Sequence, residues 1–371
     1  MPPKVFPPTA APALASRARR RTLLALAGGM AALPAAWAQP ARAGLMNFPR
    51  DFGSHPELGT EWWYITGHAD ANGRVFGFQL TFFRSRVNAT QALQSAFAAR
   101  QLIFAHAAIT DLQGGRQWHD QRIARAGMGV AHAGEHDTDV QLRDWRLQRH
   151  PADGRYEARL PATGFGLELD FAPTQAVLLQ GDEGHSRKGP QPQAFSLYYS
   201  EPQLRASGRL RLDGRTFDVQ GRAWLDHEWS DGYLPTGAVG WDWIGMNLDD
   251  GSALMAFVMR DRDGRAVWAG GSFRSAAGVR RAFGADEVRF EPGRIWQSPA
   301  TRARYPVQWT VHTPAGAFGV RSLLDDQELD SRGSTGTVYW EGLCDLLEAP
   351  SGRRVGRGYL EMTGYAAPLR M

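Results

Sequence analysis

The chain has 371 residues, with 42 Lys and Arg against 38 Asp and Glu and a formal net charge of +4 at pH 7. That length is more than one typical domain and points to two, and the ordinary balance of apolar and charged residues allows packed cores. The positive charge sits at the start. Residues 1–38 carry Lys4, Arg17, Arg19, Arg20 and Arg21 and no acid, so removing those five charges leaves −1. A near-neutral remainder lacks the electropositive footprint of a nucleic-acid binder.

The first segment reads as a signal peptide over residues 1–38. Arg19-Arg20-Arg21 precedes an Ala/Leu-rich run from Thr22 to Ala36, and Ala36-Trp37-Ala38 forms a small-x-small cleavage site. The order Arg20-Arg21-Thr22-Leu23-Leu24 resembles a twin-arginine signal. An ordinary secretory signal with extra arginines is the alternative, as is cleavage after Ala41-Arg42-Ala43. The run is shorter than the roughly 20 residues of a membrane span. The expectation is a periplasmic protein with no transmembrane span in the mature chain.

Beyond the signal, most of the chain reads as strands. Phe76, Phe78, Leu80 and Phe82 alternate with Gly77, Gln79 and Thr81, the period of a half-buried strand. Asn72-Gly73, Asp153-Gly154, Asp213-Gly214, Asp250-Gly251 and Asp263-Gly264 mark hairpins. Residues 89–98 and 322–329 are the two places for a short helix. Residues 181–193 read as a polar Gly/Pro-rich loop. Cys344 is the only cysteine, which rules out an intramolecular disulfide; its apolar run Val338–Leu347 suits a small buried side chain.

An internal echo organises the whole. Trp62-Trp63-Tyr64-Ile65 and Trp241-Asp242-Trp243-Ile244 each lead through a strand to a glycine turn, Gly73 and Gly251, and a second apolar strand. The expected fold is all-β: two similar antiparallel β-barrel or sandwich domains, over residues 45–232 and 238–366, each opening with this hairpin.

The chemistry concentrates where the two copies meet. Four of the thirteen tryptophans, with Asp226, His227, Glu228, Asp231 and Asp242, fall within residues 224–243. On a strand, Trp241 and Trp243 share one face, and Asp242 shares the other with Ile244, Met246 and Leu248. Asp242 is then a buried acid that holds its proton, or else a turn cap or the partner of an arginine. His227 faces away from Asp226 and Glu228. It acts as a general base, or the trio satisfies buried backbone groups. Trp62 and Tyr64 share one face, Glu61 and Trp63 the other; one of these faces is core. His132, Glu135, His136 and Asp137 lack the order and spacing of a metal site, and no metal or other cofactor is expected.

These motifs carry a resemblance. His55-Pro56-Glu57, Thr60-Glu61-Trp62-Trp63-Tyr64, Asp226-His227-Glu228-Trp229, Gly240-Trp241-Asp242-Trp243 and Tyr339-Trp340-Glu341-Gly342 look like the AttH / carotenoid 1,2-hydratase family, over about residues 45–366. The resemblance implies two lipocalin-like barrels and a long apolar pocket. Carotenoid-acting members add water to an isolated double bond without a cofactor. Other relatives are predicted secreted hydrolases, often encoded beside ABC-transporter permeases. His227 and Trp229 match the His-x-Trp pair of the hydratases. Where a partner tyrosine and acid are expected, this chain reads Leu254-Met255-Ala256-Phe257, so the chain sits closer to the AttH side.

The expected function is a hydro-lyase acting on an apolar isoprenoid or lipid ligand. Asp226, His227 and Asp242 are the candidate catalytic residues. Trp62, Tyr64, Trp229, Trp241 and Trp243 are the candidate wall of the substrate pocket. A non-catalytic carrier working with an ABC-transporter permease is the main alternative; a secreted hydrolase, for which no nucleophile is visible, is the weaker one.

Overall fold

Residues 46–232 and 234–369 are described in this computed structural model, and the signal expected over residues 1–38 lies outside them. Strand-forming alternation dominates. Among the described residues the only helical pieces are three single 3-10 turns, Arg50–Phe52, Asn88–Thr90 and Ala285–Glu287. The short helices expected at 89–98 and 322–329 do not form. In the first segment Thr90 Oγ1 and Gln91 Nε2 bond back to the carbonyls of Ala99 and Arg100, each at 2.7 Å, which holds an open loop. In the second, Asp325 is drawn to Arg294 and Ser322, and the strand Glu328–Ser331 begins instead. No described helix is long and apolar enough to cross a membrane.

Two large antiparallel sheets, with a two-stranded one of Ile295–Gln297 and Arg304–Pro306, make up the described fold. In the first, Thr60–Ala71 lies between Arg74–Arg86 and Arg215–Ser230. Gln101–Asp111 and Arg116–Arg125 extend one side; Phe195–Leu212, Phe165–Ala172 and shorter strands extend the other. The far ends approach each other: Gly127 bridges Ala131, Arg122 bonds to Asp144, and Asp120 bonds to Thr163. The sheet is thereby a nearly closed barrel, which leaves few unpaired edges. In the second sheet Gly240–Leu248 lies between Ala253–Arg260 and Arg354–Met362, with Ala266–Arg274 and Thr337–Glu348 outside them.

The sequence echo is therefore a repeat of topology. In each sheet the opening strand pairs with the strand after it and with the last long strand. Side-chain alternation then divides the burial three ways. Trp63, Ile65, Leu225 and Trp229 point into the core of the first sheet. Ile244, Met246, Trp340, Cys344 and Leu360 point into that of the second. The intervening positions, Tyr64, Tyr198, Trp224, Trp243, Phe257 and Tyr359, form a third cluster where the sheets face each other. Close approach there requires a missing side chain: a Cβ on Gly245 would collide with the indoles of Trp243 and Trp224.

Candidate active site

Between the facing sheets lies a cavity of about 350 Å³, the size of a small-molecule site. Its apolar wall comes from Trp62, Phe83, Phe104, Trp241, Trp243, Phe257 and Met259. Its polar lining includes Tyr64, Arg84, His106, Lys188, Tyr198, Asp226, Glu228, Tyr339, Glu341 and Glu361. Each reaches it by the period of two: Asp226 and Glu228 point one way from their strand, Leu225, His227 and Trp229 the other.

Asp226 is the best-connected acid. Its carboxyl receives Trp224 Nε1 at 2.7 Å and Ser200 Oγ at 2.5 Å on one oxygen, and Tyr198 Oη at 2.7 Å on the other. Trp243 Nε1 in turn donates to Tyr198 Oη at 3.2 Å. Burial pushes the Asp226 pKa up to about 7 against the opposing pull of the three donors. Near neutrality its carboxyl is therefore divided between the protonated and ionised forms, with the Tyr198 hydroxyl donating to the ionised one.

Glu341 and Glu361 lie opposite each other across their strand pair, and Trp243 is the next cross-strand neighbour of Glu361. Burial raises both; Glu361 reaches about 7, and Glu341 is pushed well up by burial and then by the charge of Glu361. Two carboxyls so placed in apolar surroundings hold at least one proton between them. Lys188 Nζ sits 2.8 Å from Glu228 Oε1, both nearly buried.

Five of the eight residues expected at the site line the cavity: Trp62, Tyr64, Asp226, Trp241 and Trp243. Three do not. His227 is fully buried inside the first barrel, with Trp63 stacked on it at 4.6 Å. Its Nε2 donates to Glu61 Oε1 at 2.9 Å and its Nδ1 accepts from Tyr199 Oη at 3.1 Å. Burial lowers its pKa to about 4, so it is neutral there. Trp229 stacks on His55 with ring centres 3.9 Å apart, in the same interior. Asp242 faces the core of the second sheet, where Arg260 Nε lies 2.6 Å from Oδ2 and Tyr365 Oη donates to Oδ1 at 3.0 Å. It is the arginine-paired acid of the structural alternative, and burial still raises its pKa to about 6.

His55 Nδ1, Glu61 Oε1 and His227 Nε2 lie close enough to hold one metal ion. The donor pattern opposes it. Glu61 already accepts from His55 N at 2.9 Å, His55 Nδ1 at 2.8 Å, Arg84 Nε at 2.8 Å and His227 Nε2. Its lone pairs are taken and a guanidinium stands where a metal would be repelled. The trio is a structural network that ties the chain before the first strand to the barrel.

Tyr198, Lys188 and Glu361 escaped the sequence reading, and Glu341 entered it only within the Tyr339-Trp340-Glu341-Gly342 motif. Two signals were there: Lys188 is one of only two lysines, and Glu361 is a lone acid between Leu360 and Met362.

Fold and site define a lipocalin-like, two-sheet protein with an acid-lined aromatic cavity between the sheets. The chain belongs to the AttH-like family, whose profile matches residues 39–365. A crystal structure assigned to AttH from Nitrosomonas europaea is 47% identical, covers 88% of this chain and 98% of that one, and superposes with a TM-score of 0.81. Kievitone hydratase from Nectria haematococca shares the fold, with a TM-score of 0.69 at 14% identity over 87% of this chain and 94% of that one. The dehydratase asqC of Emericella nidulans is 25% identical over 184 residues. That match spans about half of each protein, 47% of this chain and 51% of asqC. The likeness to kievitone hydratase is one of fold, and the chain matches about half the length of asqC.

Proposed function

We propose that the protein is an exported hydro-lyase that adds or removes water on an apolar ligand held between the two sheets, without a cofactor. The observation that carries this is the Asp226–Tyr198 pair in the cavity wall. The hydratase relatives led us to expect a tyrosine and an acid near residues 254–257; here Phe257 and Met259 are cavity wall, and the tyrosine–acid pair comes from two neighbouring strands of the first sheet.

In dehydration, Asp226 Oδ2–H donates to Tyr198 Oη as the tyrosine proton passes to the leaving hydroxyl. The C–O bond breaks and water departs. The carbocation left behind lies among the faces of Trp62, Trp241 and Trp243, whose quadrupoles stabilise it by about 0.5–2 kcal/mol each. The ionised Asp226, through Tyr198, then takes the proton from the adjacent carbon and the double bond forms. Hydration is the reverse. One carboxyl both gives and recovers the proton, so a pKa near the working pH suits it. Export to the periplasm is supported by the Arg20-Arg21 pair and the apolar run after it.

The test needs no known substrate. Tertiary and allylic isoprenoid alcohols incubated with the protein in H₂¹⁸O should exchange their oxygen with solvent, measured by mass spectrometry. Asp226→Asn and Tyr198→Phe should stop the exchange. No exchange by the wild type, with the same alcohol recovered bound and unchanged, would make the protein a carrier.

A further inference from the structure

One part of the cavity wall already holds an ammonium group. Lys188 Nζ lies 2.8 Å from Glu228 Oε1, and 4.7 and 4.4 Å from the ring centres of Tyr198 and Phe257. One carboxylate and two ring faces satisfy that cation. Another part of the wall has the same components without the cation. Glu341 and Glu361 stand side by side, next to Trp243, and Trp241 and Tyr64 interact with Glu361 and Glu341 in turn.

Three facts show that this corner lacks a cation of its own. Glu341 Oε1 and the Tyr64 hydroxyl are both buried, and the groups that engage Glu341 are the neutral hydroxyls of Tyr64 and Tyr339. Buried acceptors met only by imperfect neutral donors keep capacity for a stronger one. The cationic side chains that line the cavity are committed elsewhere: Lys188 to Glu228, and Arg84 to Glu61. His106 bonds to Tyr339 and Ser334 and is kept neutral by burial.

We propose that the ligand of this cavity carries a primary ammonium group on its apolar body, seated among Glu341, Glu361 and the Tyr64 hydroxyl. A primary ammonium has three N–H donors. Glu341 Oε1, a Glu361 oxygen and the Tyr64 oxygen supply three acceptors, and the Trp241 and Trp243 indoles face the charge. A neutral alcohol leaves at least one acceptor empty. A carboxylate is repelled by the pair. The inference rests on the cavity being the ligand site, and it separates the part of the wall that recognises charge from the Asp226–Tyr198 part that moves protons.

Calorimetric titration with octylamine hydrochloride, octanol and octanoate tests it on the whole protein. The amine should bind at least ten-fold more tightly than the alcohol, and octanoate most weakly. Glu341→Gln and Glu361→Gln should each bring amine affinity to within about three-fold of the alcohol measured on the same variant. Circular dichroism melts would confirm that the variants are folded. Equal binding of amine and alcohol by the wild type would overturn the ammonium subsite and leave the cavity reading standing. Tighter octanoate binding would overturn it too, in favour of Lys188 as the recognising group. If none of the three binds, the cavity is not a ligand site, and this inference falls with it.

Discussion

Glu61 and Asp226 are buried on the two central strands of the first sheet, facing opposite sides of it. Glu61 points into the barrel and accepts four hydrogen bonds, two from His55 and one each from Arg84 and His227. Burial works to raise its pKa, but the bonds from His227 and His55 outweigh burial and hold it far below the usual carboxylate range. Asp226 points into the cavity, receives only neutral donors, and is raised to about 7. Burial is equal; the charge and number of donors decide the outcome. One face of the sheet thus keeps a permanent charge as structure, and the other keeps a movable proton.

Breaking the cavity side should have the largest effect. Asp226→Asn should lower oxygen exchange about 10²–10⁴-fold while ligand binding persists. Tyr198→Phe should do the same if the tyrosine relays the proton. Breaking the barrel side should instead cost stability. Glu61→Gln leaves Arg84 buried without its counter-ion and should destabilise the fold by about 3–5 kcal/mol, measured by urea denaturation. If Glu61→Gln lowers exchange and leaves the urea midpoint unchanged, the division of labour between the faces is wrong.

The tryptophans sharpen the contrast. Trp229→Ala empties a site in the first core and should cost about 3–5 kcal/mol of stability, with ligand affinity intact. Trp243→Ala removes cavity wall and should weaken binding of an apolar amine roughly ten-fold, as expected from about 1–2 kcal/mol of lost ring contact. Titration calorimetry and thermal melts on both variants separate the two results.

The smallest expected effect is in the pH profile of stability. Asp226 and Glu361, raised to about 7, hold protons when folded that the unfolded chain releases. Their contribution is complete below the ordinary carboxyl range and is lost as pH rises through 7. His227 and His106 are lowered to about 4 and about 3. Their contribution is present above 6.5 and is lost as pH falls from there. Between about pH 4 and 6.5 the two acids and the two histidines pull in opposite directions and nearly cancel, so their joint signature is a urea midpoint that falls as pH rises from 6.5 through 7. A midpoint still rising from pH 6 to 8 would contradict the raised acids.

Much of this was legible in the sequence. The all-β fold followed from the period of two and the Asn-Gly and Asp-Gly turns. The echo of Trp62–Ile65 in Trp241–Ile244 marked the two opening strands, and alternation put Trp62 with Tyr64 on one face of the first and Trp241 with Trp243 on one face of the second. Alternation also set His227 opposite Asp226. What it could not say was which face looked inward, because both faces of that strand are buried and both carry acids and aromatics. The usual cue, one polar face and one apolar, is absent there. Arg260 gave no sign that it would reach Asp242, since it lies on the paired strand and the partner depends on register. Glu341 and Glu361 are twenty residues apart in sequence, and only the Thr337–Glu348 and Arg354–Met362 pairing puts them face to face. The short helix expected at 89–98 failed for a local reason: Thr90 and Gln91 bond to the carbonyls of Ala99 and Arg100 and so draw the two ends of the segment together as a loop.

The most direct measurement is a ¹³C NMR titration of the Asp and Glu carboxyls, assigned by Asp226→Asn, Glu361→Gln and Glu61→Gln. The account predicts that the Asp226 and Glu361 signals move near pH 7 and that the Glu61 signal stays ionised down to the acid limit of the folded protein. If Asp226 and Glu361 titrate near pH 4, with the bulk of the carboxyls, the cavity holds no movable proton and the proposed chemistry is refuted.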